Sequence, residues 1–398
     1  MKEGWKYMKL GEIVVFDKRF KGVPKEQQKQ IVSFKHVSAE TLKGLLVDNG
    51  DVKLLATGLF TGYTTQELAG NNLNSGEVIS FPTGGNANIK YHKGNFVDSG
   101  NILCVAKDDS IYLKYVHFGL LYQNDYIESC YKGTGIHHPF MPDIWDVKVP
   151  IPDISTQYSI VARLDAEFAK IEALKANAEK QLQAAKDLFQ AALKELLTPK
   201  EGWVEKKLGE LGTTKIGPFG SLLHKKDYVV GGIPLINPMH ICDNRIKADM
   251  SYSVCKEKAE ELSAYIMKQG DIVIGRRGEM GRCAVVTTNN DGYLCGTGSI
   301  FFRAKKESVN VVFLQKIIAS SEIKQKLEKI AGGTTMLNLS SKGFNSLTIK
   351  VPSLSEQQRI ADRLDALSAN VKALQTNYTE TITHCNDLKQ SLLKKVFE

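Results

Sequence analysis

No stretch of this 398-residue chain approaches the roughly 18–20 consecutive apolar residues that span a bilayer, which excludes a membrane helix. The opening residues, Met1-Lys2-Glu3-Gly4-Trp5-Lys6, lack the apolar run of a secretory signal, so a soluble cytoplasmic protein is expected. The seven cysteines are odd in number, and no two are spaced C-x-x-C. That argues against a disulfide framework and against paired zinc knuckles, and leaves free thiols in a reducing compartment.

Catalytic signatures are missing as well. Gly275-Arg276-Arg277-Gly278-Glu279-Met280-Gly281 is glycine-rich after a strand-like run, but it lacks the Lys-Ser/Thr of a phosphate-binding loop. It reads better as a turn that displays arginines. Asn237-Pro238-Met239-His240 only brushes the Asn-Pro-Pro-aromatic signature of amino-methyltransferases, and no glycine-rich cofactor loop precedes it. His137-His138 could suggest a metal, but adjacent residues on a strand point to opposite faces. No acidic cluster has nuclease spacing, and no βαβ rhythm suggests a doubly wound fold. We expect no catalytic residue, no metal and no cofactor in this chain.

What is present is a tandem repeat with a period near 200. Gly4-Trp5 and Lys9-Leu10-Gly11-Glu12 return as Gly202-Trp203 and Lys207-Leu208-Gly209-Glu210. Gly133-Thr134 returns as Gly333-Thr334. Ile151-Pro152, Gln157, Ile160 and Arg163-Leu164-Asp165-Ala166 return as Val351-Pro352, Gln357, Ile360 and Arg363-Leu364-Asp365-Ala366. Between these anchors the halves diverge, so each has a similar frame and a different content.

Each half closes on a long helix. Leu164, Phe168, Ile171, Ala178, Leu182, Ala185, Phe189, Ala192 and Leu196 step by threes and fours, predicting a helix over 156–197 whose stripe is interrupted by Lys175. Leu364, Leu367, Val371, Leu374, Tyr378, Cys385, Leu388 and Leu392 predict a second over 356–397. Ser155 and Ser355 suit the N-caps. A helix with one apolar stripe must pack on something, and the nearest match is the other helix, laid antiparallel. The expected fold is therefore α+β. Two mixed α/β globular domains, 1–155 and 199–354, stand in pseudo-two-fold tandem repeat, joined by long helices 156–198 and 355–398 packed as an antiparallel coiled coil. Strand-like runs include Ile13-Val14-Val15-Phe16, Val78-Ile79-Ser80-Phe81, Ile272-Val273-Ile274 and Ser299-Ile300-Phe301-Phe302, with helices expected over 112–122 and 311–330.

The net charge is +8. Residues 199–354 hold 23 basic and 15 acidic side chains, while the other three segments are neutral. A basic domain is the electrostatic footprint of a nucleic-acid binder. The neutral first domain, with a local strip at Lys18-Arg19, Lys21, Lys25, Lys29 and Lys35, keeps a second reading open: a coiled-coil scaffold with two protein-binding domains.

The pattern resembles the specificity subunit of type I restriction–modification systems. The residues that carry the resemblance are Gly270-Asp271-Ile272-Val273-Ile274 with Arg277-x-Gly-x-x-Gly281, then Gly332-Gly333-Thr334-Thr335-Met336-Leu337-Asn338-Leu339, then Val351-Pro352 with Glu356-Gln357-Gln358-Arg359-Ile360. The first half departs from it, with Gly133-Thr134-Gly135-Ile136-His137-His138 at the position of the Gly-Thr-Thr run. The resemblance implies double-stranded DNA as ligand, a bipartite site read one half per domain, and helices that set the spacing. It also implies two methyltransferase subunits, which would bind S-adenosylmethionine, and translocase–nuclease subunits as further partners. Side chains able to read bases follow from hydrogen-bond geometry. In the second domain they are Arg276, Arg277, Arg282, Lys342, Thr334 and Asn338. In the first they are Thr83, Asn86, Asn88, Lys90, Tyr91, Lys132, Thr134 and His137.

Overall fold

The computed structural model describes residues 4–21, 30–332 and 338–398. The chain forms two compact units, Met1–Glu179 with Thr379–Glu398, and Lys180–Tyr378, so each long helix is divided between them.

The first unit is built on a six-stranded sheet in the order Val14–Phe16, Asn101–Ala106, Asn74–Pro82, Lys90–Ser99, Val52–Ala56, Thr61–Thr64. The second has a four-stranded sheet in the order Gly212–Ile216, Ser299–Ala304, Ile272–Gly275, Cys283–Val285. The first four strands of the one correspond, strand for strand, to the other. Each unit adds an antiparallel pair, Lys6–Lys9 with Lys148–Ile151 and Val204–Lys207 with Thr348–Val351. The sequence repeat is thus a repeat of topology, and the divergent residues between anchors are what differ: a short four-stranded sheet and the pair Ile241–Cys242 with Arg245–Ile246 are added in the second unit, and two further strands of the main sheet with the pair Tyr131–Lys132 and His138–Pro139 in the first.

The repeated Lys-Leu-Gly-Glu now has a physical reason. Leu10 and Leu208 are fully buried, and their N–H groups donate to Val147 O at 2.7 Å and Leu347 O at 2.9 Å. A Cβ at Gly11 would stand 2.0 Å from the Trp145 ring, so only glycine lets the chain pass that indole.

The junction of strand and long helix is built around the same buried glutamine in both halves. Gln157 is buried; its Oε1 accepts from Tyr112 N at 2.8 Å, and its Nε2 donates to Ser110 O and Pro152 O, both at 2.9 Å. Gln357 is buried likewise; Oε1 accepts from Asn310 N at 2.8 Å and Nε2 donates to Pro352 O at 2.9 Å. A primary amide is suited to this place because it both accepts and donates where the chain has left the sheet and the helix ladder has not begun.

The long helices run Ile154–Leu197 and Leu354–Phe397. The caps differ from expectation. Asp153, not Ser155, accepts from Thr156 N at 3.0 Å, and Ser353, not Ser355, accepts from Glu356 N at 3.4 Å. Hydrogen bonds from Ser155 and Thr156 hold the Asp153 carboxyl well below the usual carboxylate range. In the first unit, Lys175 Nζ meets Asn386 Oδ1 at 3.4 Å and Lys389 pairs with Glu172, so numbers rise on one helix as they fall on the other. That is an antiparallel pair, and the lysine that interrupts the apolar stripe finds a polar partner across it. In the second unit Leu193, Leu196 and Leu197 join Ile360, Ala361 and Leu364 in one core. Phe397 completes the core of the first unit, 5.3 Å from the Tyr115 ring and 5.9 Å from Tyr122.

The helix expected over 311–330 is two, Val311–Ile318 and Ser321–Ile330, because Ser320 caps the second by accepting from Ile323 N. Ile13 belongs to a helical turn, Leu10–Ile13, that precedes the strand Val14–Phe16.

One buried ionic cluster stands out in the first unit. His36 Nδ1 lies 2.8 Å from Asp98 Oδ2, and Nε2 lies 3.3 Å from Asp17 Oδ2, with His36 and both carboxylates almost wholly buried. Burial alone would lower the imidazole pKa, but the two carboxylates outweigh it and hold it above its ordinary value.

Two outcomes follow. Replacing Gln357 with leucine orphans Asn310 N–H and Pro352 C=O, and each should cost about 1–3 kcal/mol of stability; an unchanged thermal melt would mean that packing alone holds the junction. The raised His36 pKa adds stability that is complete below the unfolded value of about 6.5 and is lost as pH rises through the folded value. Denaturant midpoints should therefore fall across that alkaline-going window in the native chain and fall less in His36→Gln; parallel curves would refute a charged His36.

Candidate nucleic-acid interface

In the second unit the strand Ile272–Gly275 runs out of the sheet into the turn 276–282. Three neighbouring segments grip that turn. Arg276 N donates to Gly298 O at 3.1 Å, and Arg276 exchanges backbone and side-chain hydrogen bonds with Leu339: Leu339 N to Arg276 O at 2.9 Å, and Arg276 Nε to Leu339 O at 3.2 Å. Gly298 N in turn donates to Asn237 Oδ1 at 3.0 Å. The Asn237-Pro238-Met239-His240 run therefore braces this turn.

This architecture sorts the second-unit candidates. Arg276 is buried, and its guanidinium clasps the 338–340 segment instead of reaching outward. Arg282 is held too: Nη2 pairs with Glu279 Oε2 at 2.6 Å and Nη1 donates to Pro238 O at 3.2 Å. Glu279 also meets Lys324 at 3.0 Å, and these hydrogen bonds lower its pKa. Arg277 is different. Its backbone bridges to Asn338, its side chain is exposed, and its guanidinium has no partner among the described residues. Lys342 is exposed on the helix Ser341–Ser346. Asn338 sits beside the turn, its N–H bonded to Gly332 O at 2.8 Å and its Oδ1 buried without a partner among the described residues. Thr334 lies outside the described residues.

In the first unit the corresponding strand, Asn74–Pro82, opens into residues 83–89, and the 133–138 segment is laced to them. Gly85 N donates to His137 O at 2.9 Å, and His138 Nδ1 lies 2.6 Å from Thr83 O. Glu128 Oε2 accepts from Ala87 N at 2.7 Å, and Tyr131 OH donates to Pro82 O at 3.0 Å. The two loops therefore form one surface, and Asn86, Thr134 and His137 are exposed on it.

The remaining first-unit candidates are engaged internally. Thr83 Oγ1 donates to Gly100 O. Asn88 Nδ2 donates to Gly58 O at 2.9 Å, and Lys90 Nζ to Ala56 O at 2.6 Å and Gly58 O at 2.7 Å. Burial, reinforced by Lys53, lowers the Lys90 pKa. Lys132 pairs with Asp143 at 2.7 Å over the Phe140 ring. Tyr91 faces away from the loops: its hydroxyl donates to Glu77 at 2.7 Å, and its ring lies under Lys114, which itself pairs with Asp165 of the long helix. Burial, then the Glu77 hydrogen bond, raises its pKa. Sequence reasoning missed Glu128 and Tyr131 as organisers of this surface, because nothing local marks a carboxylate that bonds a backbone 41 residues away.

Among the described residues no His/Cys/Asp/Glu group could hold a metal, and no helix is long and apolar enough to cross a membrane.

Comparison with known proteins places these frames. The chain is similar to the EcoBI type I restriction enzyme specificity subunit of Escherichia coli, 23% identical over 66% of this chain and 60% of that one. It is similar to the MjaVIII specificity subunit of Methanocaldococcus jannaschii, 19% identical over 92% of this chain and 86% of the other. The chain thus spans about three fifths of the length of the former. Among solved structures, a chain from a study of complex assembly and conformational transition of the type I R-M system matches with TM-score 0.69 at 18% identity, covering 100% of this chain and 98% of that one. The HsdS subunit from Thermoanaerobacter tengcongensis matches with TM-score 0.53 at 17% identity, covering 100% and 97%. The model of the type I restriction modification DNA specificity domain matches twice, at residues 2–184 and 200–384, once for each half of the repeat, and the chain belongs to that family.

Proposed function

We propose that this chain is the DNA-reading subunit of a type I restriction–modification complex and carries no catalytic step itself. The observation that carries the reading is Arg277. Its two neighbouring arginines are engaged in fixing the turn, while its own guanidinium is exposed and unpaired among the described residues. A planar fork held that way suits the O6 and N7 of guanine in the major groove. In the first unit Asn86, Thr134 and His137 occupy the corresponding surface, so each unit reads one half of an asymmetric, interrupted duplex site. The spacing between halves follows from the long helices. Two unlike readers on a repeated frame give a non-palindromic site, as symmetric dimers give palindromic ones. The domains that serve this purpose are 1–155 and 199–354, with 156–198 and 355–398 as spacers. The site of action is the cytoplasm.

The partners are two methyltransferase subunits, which bind S-adenosylmethionine and methylate adenine, and translocase–nuclease subunits for restriction. The long helices supply docking positions. Leu174 and Leu188 on the first are 51% and 62% exposed, and Leu374 and Leu388 on the second are 40% and 48% exposed. Leu374 repeats Leu174 and Leu388 repeats Leu188 at the period of the chain. In the first unit, the register set by Glu172–Lys389 and Lys175–Asn386 brings Leu174 level with Leu388. The second unit holds the other pair, Leu188 and Leu374. Each unit thus offers an exposed leucine pair, and two equivalent pairs suit two copies of one partner.

Sequencing methylated DNA from cells with and without this chain tests the reading: a bipartite motif should appear only with it. Arg277→Ala should relax one half-site alone, by about 1–3 kcal/mol for a bidentate base contact. Loss spread evenly over sequences, with a salt slope smaller by about one, would instead assign Arg277 to phosphate. Lysine at both Leu174 and Leu388 should leave the fold intact and lower the bound methyltransferase from two copies to one in native mass spectrometry; two copies would exclude that docking position.

A further inference from the structure

The strand Val52–Ala56 leaves the first unit's sheet through residues 57–60, and Leu59 at the tip is 93% exposed. A single exposed leucine needs no explanation in itself. This one is distinguished by how its backbone is held. Phe60 packs inward against the Leu42–Val52–Leu54 cluster. On the other side Asn88 and Lys90 donate three hydrogen bonds to the carbonyls of Ala56 and Gly58, which flank the tip. Lys90 is half-buried, so a charged ammonium is partly withdrawn from water to fix a loop whose tip buries nothing.

The position of the tip is equally informative. Asn88 belongs to the same 83–89 segment that is laced to 133–138 through Gly85 N–His137 O. Leu59 therefore stands on a loop tied directly to the surface that displays Asn86, Thr134 and His137. Two side chains that composition marks as readers, Asn88 and Lys90, act instead as supports for an apolar one.

Resting on the reading of this chain as a DNA-recognition subunit, we infer that Leu59 is a specificity-determining contact whose side chain packs on the C5-methyl of a thymine in the half-site of the first unit. The thymine methyl is the one apolar feature of the major-groove edges of the bases, and an aliphatic side chain recognises it by excluding water, with no hydrogen bond needed. A loop already fixed in place avoids the ordering cost that a mobile tip would face on binding.

The test uses the full chain assembled with its methyltransferase subunits on a duplex taken from its own methylated motif. Each thymine of either half-site is replaced in turn by deoxyuridine, which removes only the methyl. With the native chain, one position should weaken binding by about fourfold, the effect of one buried methyl group. Leu59→Ala should lose a similar factor on the thymine duplex and be indifferent to deoxyuridine at that position. An assembled complex that binds no bipartite site would defeat the underlying reading. Site-specific binding in which Leu59→Ala still distinguishes thymine from uracil as the native chain does would overturn the assignment of Leu59 alone. So would binding in which no deoxyuridine matters, or an affinity loss in Leu59→Ala that ignores the methyl, as insertion between base pairs would give.

Discussion

Everything in this molecule depends on a buried primary amide placed twice. Gln157 and Gln357 sit where a strand ends, a proline intervenes and a 44-residue helix begins. Each accepts from a backbone N–H upstream, 45 residues away at Tyr112 or 47 at Asn310, and donates to the proline carbonyl. The contact ties three things at one point: the proline that ends the strand, the first turn of the long helix, and the start of the helix Leu113–Tyr122 or Val311–Ile318. An apolar residue would fill the space but leave donors and acceptors unpaired in a dry environment. A charged one would face a desolvation penalty. The amide satisfies the site in both halves, which fits the retention of this one residue at a fixed offset while the intervening loops differ.

From that junction the division of labour follows. Strands, anchors and helix starts are shared, and the loops at the ends of the corresponding strands are not. In both units the segment that follows the strand beginning Asn74 or Ile272 is locked to the segment near 133–138 or 338–340 by backbone hydrogen bonds. A frame that fixes loop position while leaving loop sequence free can present new side chains without rebuilding its core. The charge difference between the halves is the visible result: an excess of cations in 199–354 and neutrality in 1–156.

The parts of the fold legible in the sequence were those with a local period or an exact offset. The helices, the repeat and the strands at 78–81, 272–274 and 299–302 came from apolar spacing and from anchors 200 residues apart. The break between Ile318 and Ser321 was missed because continuous apolar periodicity conceals a serine cap. The caps of the long helices were misplaced by two residues, since Asp153 and Ser353 compete with Ser155 and Ser355. At the candidate site, residue type alone gave Arg276, Arg277 and Arg282 equal standing. Only geometry separates a guanidinium that clasps a carbonyl or pairs with Glu279 from one that has no partner among the described residues. Asn88, Lys90 and Lys132 show the same ambiguity, because the donors that suit a base edge also suit a main-chain carbonyl or a carboxylate.

Phe397 gives the architecture a history as well as a shape. Its ring lies against Tyr115 and Tyr122 in the core of the first unit, although nearly the whole of the second unit separates them along the chain. A ribosome delivers residues in order, so the first unit emerges with its central aromatic cluster open on one side and stays so until the second has been synthesised. Domains that fold as they emerge ordinarily finish one before the next begins. Here the first-made half is the last completed, and the final closure joins residues of very high sequence separation, the slowest kind of contact to form. Completion of the first unit's core is thereby tied to residues synthesised after nearly all of the second unit.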